Sequence, residues 1–275
     1  MQTRTADPDR ILWVKSLPFF SVHLAALAAP LVAPLTWELA ALAAGSYLVR
    51  MFAITAGYHR YFSHRAYRAG RAVQFGLALL GTTAAQKGPL WWAGHHRDHH
   101  RYSDGPQDVH SPVRRGFLWS HLGWILSARY EETPLDRVKD LARYPELRWL
   151  DRWWRVVPVA TGAGFFLAGG WPALFWGYLV ATVLLWHGTF AINSVAHVLG
   201  SRRYQTGDDS RNNPVLALLT LGEGWHNNHH HFPASANQGF FWWEVDVSFH
   251  LLRLLGALGL VSDLRRPPAR VRRAI

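Results

Sequence analysis

Two stretches of this chain leave little choice of fold. Residues 156–201 contain no Asp, Glu, Lys or Arg, and residues 16–49 contain no Lys or Arg and a single acid, Glu38. A helix needs about 20 apolar residues to cross the bilayer core. The longer stretch therefore holds two spans, and the shorter holds two if they are short or run on to Ile54. Turn residues near 30–36 and 169–172 divide each stretch into a helical hairpin. The expected spans are residues 17–34, 36–56, 155–170 and 172–195. The expected fold class is all-α: an integral membrane protein with four transmembrane helices in two hairpins. A soluble protein with two buried hairpins is the alternative, and core hairpins seldom run this far without a charge.

The rest of the chain is cationic, with 29 Lys and Arg against 18 Asp and Glu. By the positive-inside rule, both termini and the segments between and after the hairpins face the cytoplasm. Arg10 and Lys15 precede an apolar stretch too long for a cleavable signal, which reads as a retained anchor. A basic chain could bind nucleic acid. Here the cations flank apolar spans, and 15 Trp and 14 Phe suit contact with anionic lipid heads instead. No nucleic-acid partner is expected. One domain, residues 1–275, should comprise the spans, a cytosolic helical cap from residues 57–153 and 197–262, and a disordered basic tail at 263–275. Within the cap, residues 72–92 should form a helix on or partly in the bilayer, broken by Gln86, Lys87, Gly88 and Pro89. Residues 239–260 should form an interfacial amphipathic helix.

The 16 His and the absence of Cys determine the chemistry. Without Cys the chain holds no disulfide and no iron–sulfur cluster. Four polar groups fall at the cytoplasmic ends of the expected elements: His59 with His64, His96-Arg-Asp-His99-His100, Asn193 with His197, and His226-Asn-Asn-His229-His230. In HxxHH the imidazoles sit at i, i+3 and i+4 and share one helix face. Asn193 and His197 also point one way. His59 and His64, five apart, converge only if the helix ends between them. Nine converging imidazoles exceed the needs of one metal and suit two, and nitrogen ligation is compatible with Fe, Zn, Cu or Ni. Each ligand needs an acceptor for its other N–H, for which Asp98, Asp104, Asp108 and Glu223 are candidates. Asn193 could hold a metal-bound water. A lone HxxHH is as readily a packed helix face, and the argument rests on four groups at one membrane side. The other His read as structural: His23 and His187 as hydrogen-bonded residues within spans, His95 and His231 as neighbours facing away, and His110, His121 and His250 as packing residues.

The boxes carry a resemblance. HxxxxH, HxxHH, NxxxH and HxxHH, in this order, are similar to those of membrane acyl desaturases of the stearoyl-CoA (delta-9) type. So are Gly57-Tyr-His-Arg-Tyr-Phe-Ser-His-Arg-Ala-Tyr67, Asp108-Val-His-Ser-Pro, Arg115-Gly-Phe-Leu-Trp-Ser-His-Leu-Gly-Trp124 and Gly222-Glu-Gly-Trp-His-Asn-Asn-His-His-His-Phe-Pro233. The likeness covers roughly residues 45–260. It implies a four-span bundle, a cytosolic di-metal cap and a narrow hydrophobic tunnel in a bacterial inner-membrane enzyme. It also implies two iron ions, with zinc able to replace them in overexpressed preparations, and O2 as co-substrate. One ion would take His59, His64, His96, His100 and His229. The other would take His99, His197, His226 and His230, with Asn193 through water. The implied partners are a fatty acyl substrate, as acyl-CoA or acyl-lipid, and an external donor such as ferredoxin or a small haem protein with its reductase. Gly94 and His95 stand where the animal acyl-CoA members have Arg and Asp, and the Arg is implicated in CoA binding. Gly88-Pro-Leu-Trp-Trp resembles bacterial members, some of which act on lipid-esterified chains.

No side chain is base enough to break an unactivated methylene C–H bond, so a metal-activated oxidant is required. Regiochemistry would come from holding the chain at fixed depth, and the expected product is a cis double bond, at delta-9. Arg60, Lys87, Arg114 and Arg115 are candidates for gripping an anionic head group. A hydroxylase on the same scaffold is the nearest rival. A zinc hydrolase would need only three protein ligands and an open position. A metal transporter would place its site near mid-membrane.

Overall fold

The computed structural model describes residues 7–273. The chain is mostly helical, with a single two-residue antiparallel strand pair among its regular elements, β1 (Arg68–Ala69) on β2 (Val261–Ser262). Helix α1 spans Trp13–Leu27. Helix α2, Trp37–Phe52, starts where Thr36 Oγ1 accepts the Leu39 N–H at 3.4 Å, as an N-cap should. It runs directly into π-helical turns over Ala53–Ser63. Helices α3 (Arg71–Thr82) and α4 (Pro89–Tyr102) follow, then α5 (Pro145–Arg152). Helix α6 covers Val156–Pro172, and α7, Ala181–Ser194, continues a π-helical segment at Ala173–Val180. Helices α8 (His226–His231) and α9 (Val247–Ala257) complete the set used below.

Among the described residues, two stretches, Trp37–Ser63 and Val156–His197, are long and apolar enough to cross a membrane. The second folds back on itself. At Gly170 the backbone takes φ +64° and ψ −158°, a region open in practice only to glycine. The two arms then pack together: Phe165 and Tyr178 lie 5.7 Å apart by ring centroid. Helix α1 leans on α7 through Phe19 stacked on Trp186 at 5.0 Å, and α2 does so through Arg50, whose Nη1 donates to Thr182 Oγ1 at 2.6 Å. Arg50 lies within the expected second span. It is buried, with its guanidinium over the Tyr178 ring at 4.8 Å. Meanwhile Leu24, Leu27, Val159 and Leu167 point outward and are mostly exposed, a larger apolar display than a water-soluble surface carries.

Three expectations need correction. The first expected span is interrupted: α1 ends at Leu27, and a four-residue helix, Ala29–Val32, leads to an extended connection. Helix in the 239–260 region is confined to α9, because Asp246 caps its start by accepting the Phe249 N–H at 2.9 Å. Glu244 and Asp246 are both buried. The basic tail, expected to be disordered, is docked through most of its length. Arg265 N donates to Ala66 O at 3.1 Å, and Tyr204 Oη donates to Arg272 O at 3.1 Å. Residues 274–275 lie outside the described residues.

Candidate metal centre

The ends of α2 and α7 and the starts of α1 and α6 meet at one end of the bundle, where α4 and α8 lie across them. Helix α4 begins at Pro89, a favoured first helical residue, and Asp151 Oδ1 accepts the Leu90 and Trp91 N–H groups at 3.0 and 2.9 Å. This fixes the α4 axis against α5, and with it the face that carries His96, His99 and His100.

The side chains gather into two groups. His59, His64, His96, His100 and His229 form the first, and His99, His197, His226 and His230 the second; within each, one ring nitrogen per residue lies within 4.8 Å of all the others. The groups adjoin, with the His100 and His230 rings stacked at 4.4 Å. His59 and His64 come together because the helix widens into π-turns and ends at Ser63, immediately before His64. The His64 N–H donates to His59 O at 3.2 Å, the i→i+5 bond of a π-helix, which brings residues five apart onto one face with rings 4.8 Å apart.

Carboxylates hold four of these rings by Nδ1. Asp104 meets His197 at 2.9 Å, Asp108 meets His99 at 2.9 Å and Asp208 meets His230 at 2.6 Å. Glu223 meets His59, with Gln238 donating to the same carboxylate at 3.0 Å. Such contacts put the proton on Nδ1 and leave the Nε2 lone pair facing inward. Facing nitrogens are then close: His197 to His226 at 3.0 Å, His59 to His229 at 3.0 Å and His229 to His100 at 2.9 Å. His99 Nε2 and His230 Nε2 are buried without any partner. Converging lone pairs and orphaned nitrogens suit cations. With bonds near 2 Å, two ligand nitrogens stand at most roughly 4 Å apart across one ion, comparable to the size of each group.

Burial and the neighbouring imidazoles push His96, His100, His226 and His229 well below the usual histidine range, so they are neutral, as ligation requires. Burial raises Asp104 and Glu223, but their histidine partners, and Arg60 beside Glu223, outweigh it and hold both at about 2. Burial lowers His99, yet Asp108, Asp104 and Asp208 together reverse the sign and its pKa is raised. The second group is thus the more anionic: three of its four rings rest on carboxylates, against one of five in the first.

Of the four acids singled out in the sequence, Asp98 goes elsewhere, 2.7 Å from Arg137 Nε. Asp208 was missed. It sits in a loop 22 residues from His230, and no local spacing connects them. Asp208→Asn is expected to weaken metal binding at the second group by roughly 10–100-fold, read by metal titration, while the first group keeps its affinity.

His110, read as packing, stacks on His99 at 4.2 Å and is buried with Nδ1 unpartnered. Helix α7 gives way at Val195–His197 to a tighter turn, which breaks the i, i+4 relation of Asn193 and His197, and Asn193 lines a cavity. Of the cations proposed for a head group, Arg60 is walled in at 1% exposure, its fork shared between Glu223 (2.8 Å) and Asp246 (2.9 Å). It braces the Glu223 that orients His59. Arg114 donates to Asp104 O at 2.8 Å, and Arg115 pairs with Asp9 at 2.6 Å. Only Lys87 borders the cavity.

That cavity has a volume of about 730 Å3, within the roughly 300–1,000 Å3 of small-molecule sites. Trp92, Trp124, Trp186 and Phe190 form much of its wall, and it reaches His96 of the first group, His110 and Asn193. Polar wall groups satisfy one another: Gln86 Nε2 donates to Thr189 Oγ1 at 3.0 Å, and Trp186 Nε1 donates to Ala84 O at 2.9 Å. The surface left for a ligand is apolar.

A model of the fatty acid desaturase family matches residues 35–258. The chain is 36% identical to an sn-2 palmitoyl-lipid 9-desaturase of Nostoc sp. (strain 36), covering 95% of this chain and 93% of that protein. It is also 36% identical to an sn-1 stearoyl-lipid 9-desaturase of Anabaena variabilis, covering 96% and 98%. An acyl-CoA C20 Delta5-desaturase of Anemone leveillei is 38% identical over 79% of this chain and 70% of its own length.

Proposed function

The chain belongs to the fatty acid desaturase family, and from that premise we propose that it places a cis double bond at position 9 of a saturated acyl chain esterified to a membrane glycerolipid. In this reading α1, α2 and the two arms around Gly170 cross a bacterial inner membrane, and the histidine groups face the cytoplasm. His59, His64, His96, His100 and His229 would hold one iron, and His99, His197, His226 and His230 the other, with Asn193 reaching the second through water. Bound iron would supply the oxidising chemistry that O2 alone lacks. For each alkene formed, the reaction takes up O2, two electrons and two protons and releases two waters. This chain has no Cys, so the electrons come from a separate donor, a ferredoxin or a small haem protein with its reductase.

The observation that carries the reading is the largely apolar cavity that reaches His96 of the first histidine group and His110, which stacks on His99 of the second. An acyl chain offers no polar handle near carbon 9. Only a close-fitting wall can present one methylene pair to the centre, and the self-satisfied polar groups of Gln86, Thr189 and Trp186 leave such a wall. The lipid ester is favoured over a CoA thioester by the surroundings of Gly94. A Cβ there would lie 2.6 Å from Pro134 Cγ, so the position cannot carry an arginine without displacing the loop.

The test is gas chromatography–mass spectrometry of fatty acids from an aerobic host given iron and a reductase system, expressing either the wild type or His226→Ala, after separation of lipid classes. A 9-monoene in the glycerolipids of the wild type alone is expected. A hydroxy acid would replace the reading with hydroxylation, and a monoene confined to the CoA pool would overturn the lipid carrier.

A further inference from the structure

The cavity wall also carries charge. Lys15, Lys87, Glu131 and Arg155 are the only Asp, Glu, Lys or Arg side chains lining it among the described residues. All three cations converge on the one acid. Lys15 Nζ is 3.1 Å from Glu131 Oε1, Lys87 Nζ 3.2 Å from Oε2, and Arg155 Nη2 4.0 Å from Oε1. One carboxylate cannot balance three cations, so the cluster keeps two positive charges in excess. Lys87 is held there by unusual backbone: its φ is +63°, which a residue with a side chain adopts only under constraint. Its ammonium also lies 4.5 Å above the Trp91 ring. Such strain at a cation facing a cavity suggests function rather than packing.

Lys15 lies in the first turn of α1, and Arg155 immediately precedes α6. Helices α1 and α6 both pack on the Ala173–Val180 segment, and the cavity lies between them. Ser16, Phe19 and Val22 line one side, and Val159, Phe166 and Trp171 the other. Val159 is 73% exposed and Trp171 57%, so this wall faces outward from the bundle along its apolar flank.

We propose that the gap between α1 and α6 admits an intact anionic glycerophospholipid sideways from the bilayer, with Lys15, Lys87 and Arg155 binding its phosphate while one acyl chain enters the cavity. This rests on the desaturase reading for the role of the cavity and adds to it the head group and the route. The excess positive charge suits an anionic phosphodiester whose head group carries no compensating cation. Glu131 keeps the cations together when no lipid is bound and repels a more deeply placed anion.

Binding is measured without turnover. The purified full chain is stripped of lipid and offered equal amounts of dipalmitoyl phosphatidylglycerol and dipalmitoyl phosphatidylcholine, with palmitoyl-CoA in a parallel arm, and retained ligand is counted by native mass spectrometry. The wild type should retain phosphatidylglycerol about tenfold over phosphatidylcholine, in line with the attraction of clustered cations for anionic lipid. The double variant Lys87→Met, Arg155→Met should bring the ratio near one without reducing phosphatidylcholine. An unchanged ratio would overturn the cluster's role, and palmitoyl-CoA retained above phosphatidylglycerol would overturn the ligand. Because the chain has no cysteine, Val159→Cys can be labelled uniquely with a bulky maleimide. The unlabelled variant should bind as wild type and the labelled form should lose both lipids; full binding after labelling would overturn the lateral route. A phosphatidylglycerol preference that vanishes in the double variant, in a protein that never yields a monoene, would leave this inference standing and sink the desaturase reading. Monoene formed equally in both lipid classes would do the reverse.

Discussion

His197→Ala is expected to leave no new monoene in the host lipids and to reduce bound metal from two ions to one per chain. His197 is buried at the end of α7, its Nδ1 on Asp104 and its Nε2 3.0 Å from that of His226. Truncation removes one of four donors from the second group and strands a buried carboxylate that is otherwise held at about 2 by its imidazole. The loss should exceed the roughly 10–100-fold typical of an outer partner such as Asp208. Fatty acid analysis and metal content on the same preparation check it. His231→Ala is the control, since His231 stacks on Tyr204 at 4.0 Å and belongs to neither group. Monoene at the wild-type level in His197→Ala would remove the second group from the chemistry.

Arg60→Met should be the most destabilising single change in the cap. The guanidinium bridges Glu223 and Asp246, and Arg60, Glu223 and Asp246 are all buried. Burial alone would lower the Arg60 pKa, and the two carboxylates more than reverse it. Removing the cation leaves two buried acids uncompensated, at a cost of about 3–5 kcal/mol. It also frees Glu223 from its position against His59. Thermal unfolding in detergent should show a clear drop in midpoint, with metal loss from the first group before global unfolding. Adding Glu223→Gln and Asp246→Asn should recover much of the midpoint but not the metal, because the His59 Nδ1 acceptor is then changed. Lysine at position 60 should fail as a substitute, since a single ammonium cannot present the planar fork that serves both acids. An unchanged midpoint in Arg60→Met would mean that water or a rearranged loop already compensates these acids.

These two residues mark how far the sequence could be read. His197 was visible because its group falls at the edge of a charge-free stretch, where the chain leaves the apolar helix. Arg60, one residue from His59, reads in sequence as a candidate for gripping a head group, and nothing nearby in sequence indicates otherwise. Its partners lie 163 and 186 residues away. The same limit hid Asp208 from His230, and it left Lys15 and Arg155 unconnected to Lys87. For His59 and His64 the obstacle was different: an ideal α-helix was assumed, and the chain uses a wider one.

Sequence by itself determined the two charge-free apolar stretches and the histidines that share a helix face, because hydropathy and helical periodicity are local properties of the chain. Tertiary structure alone decided how nine imidazoles divide into two adjoining groups, which carboxylates fix four of the rings, and that three distant cations meet on the wall of one cavity. Those outcomes depend on contacts between segments far apart in the chain, and the spacing of residues along it carries no record of them.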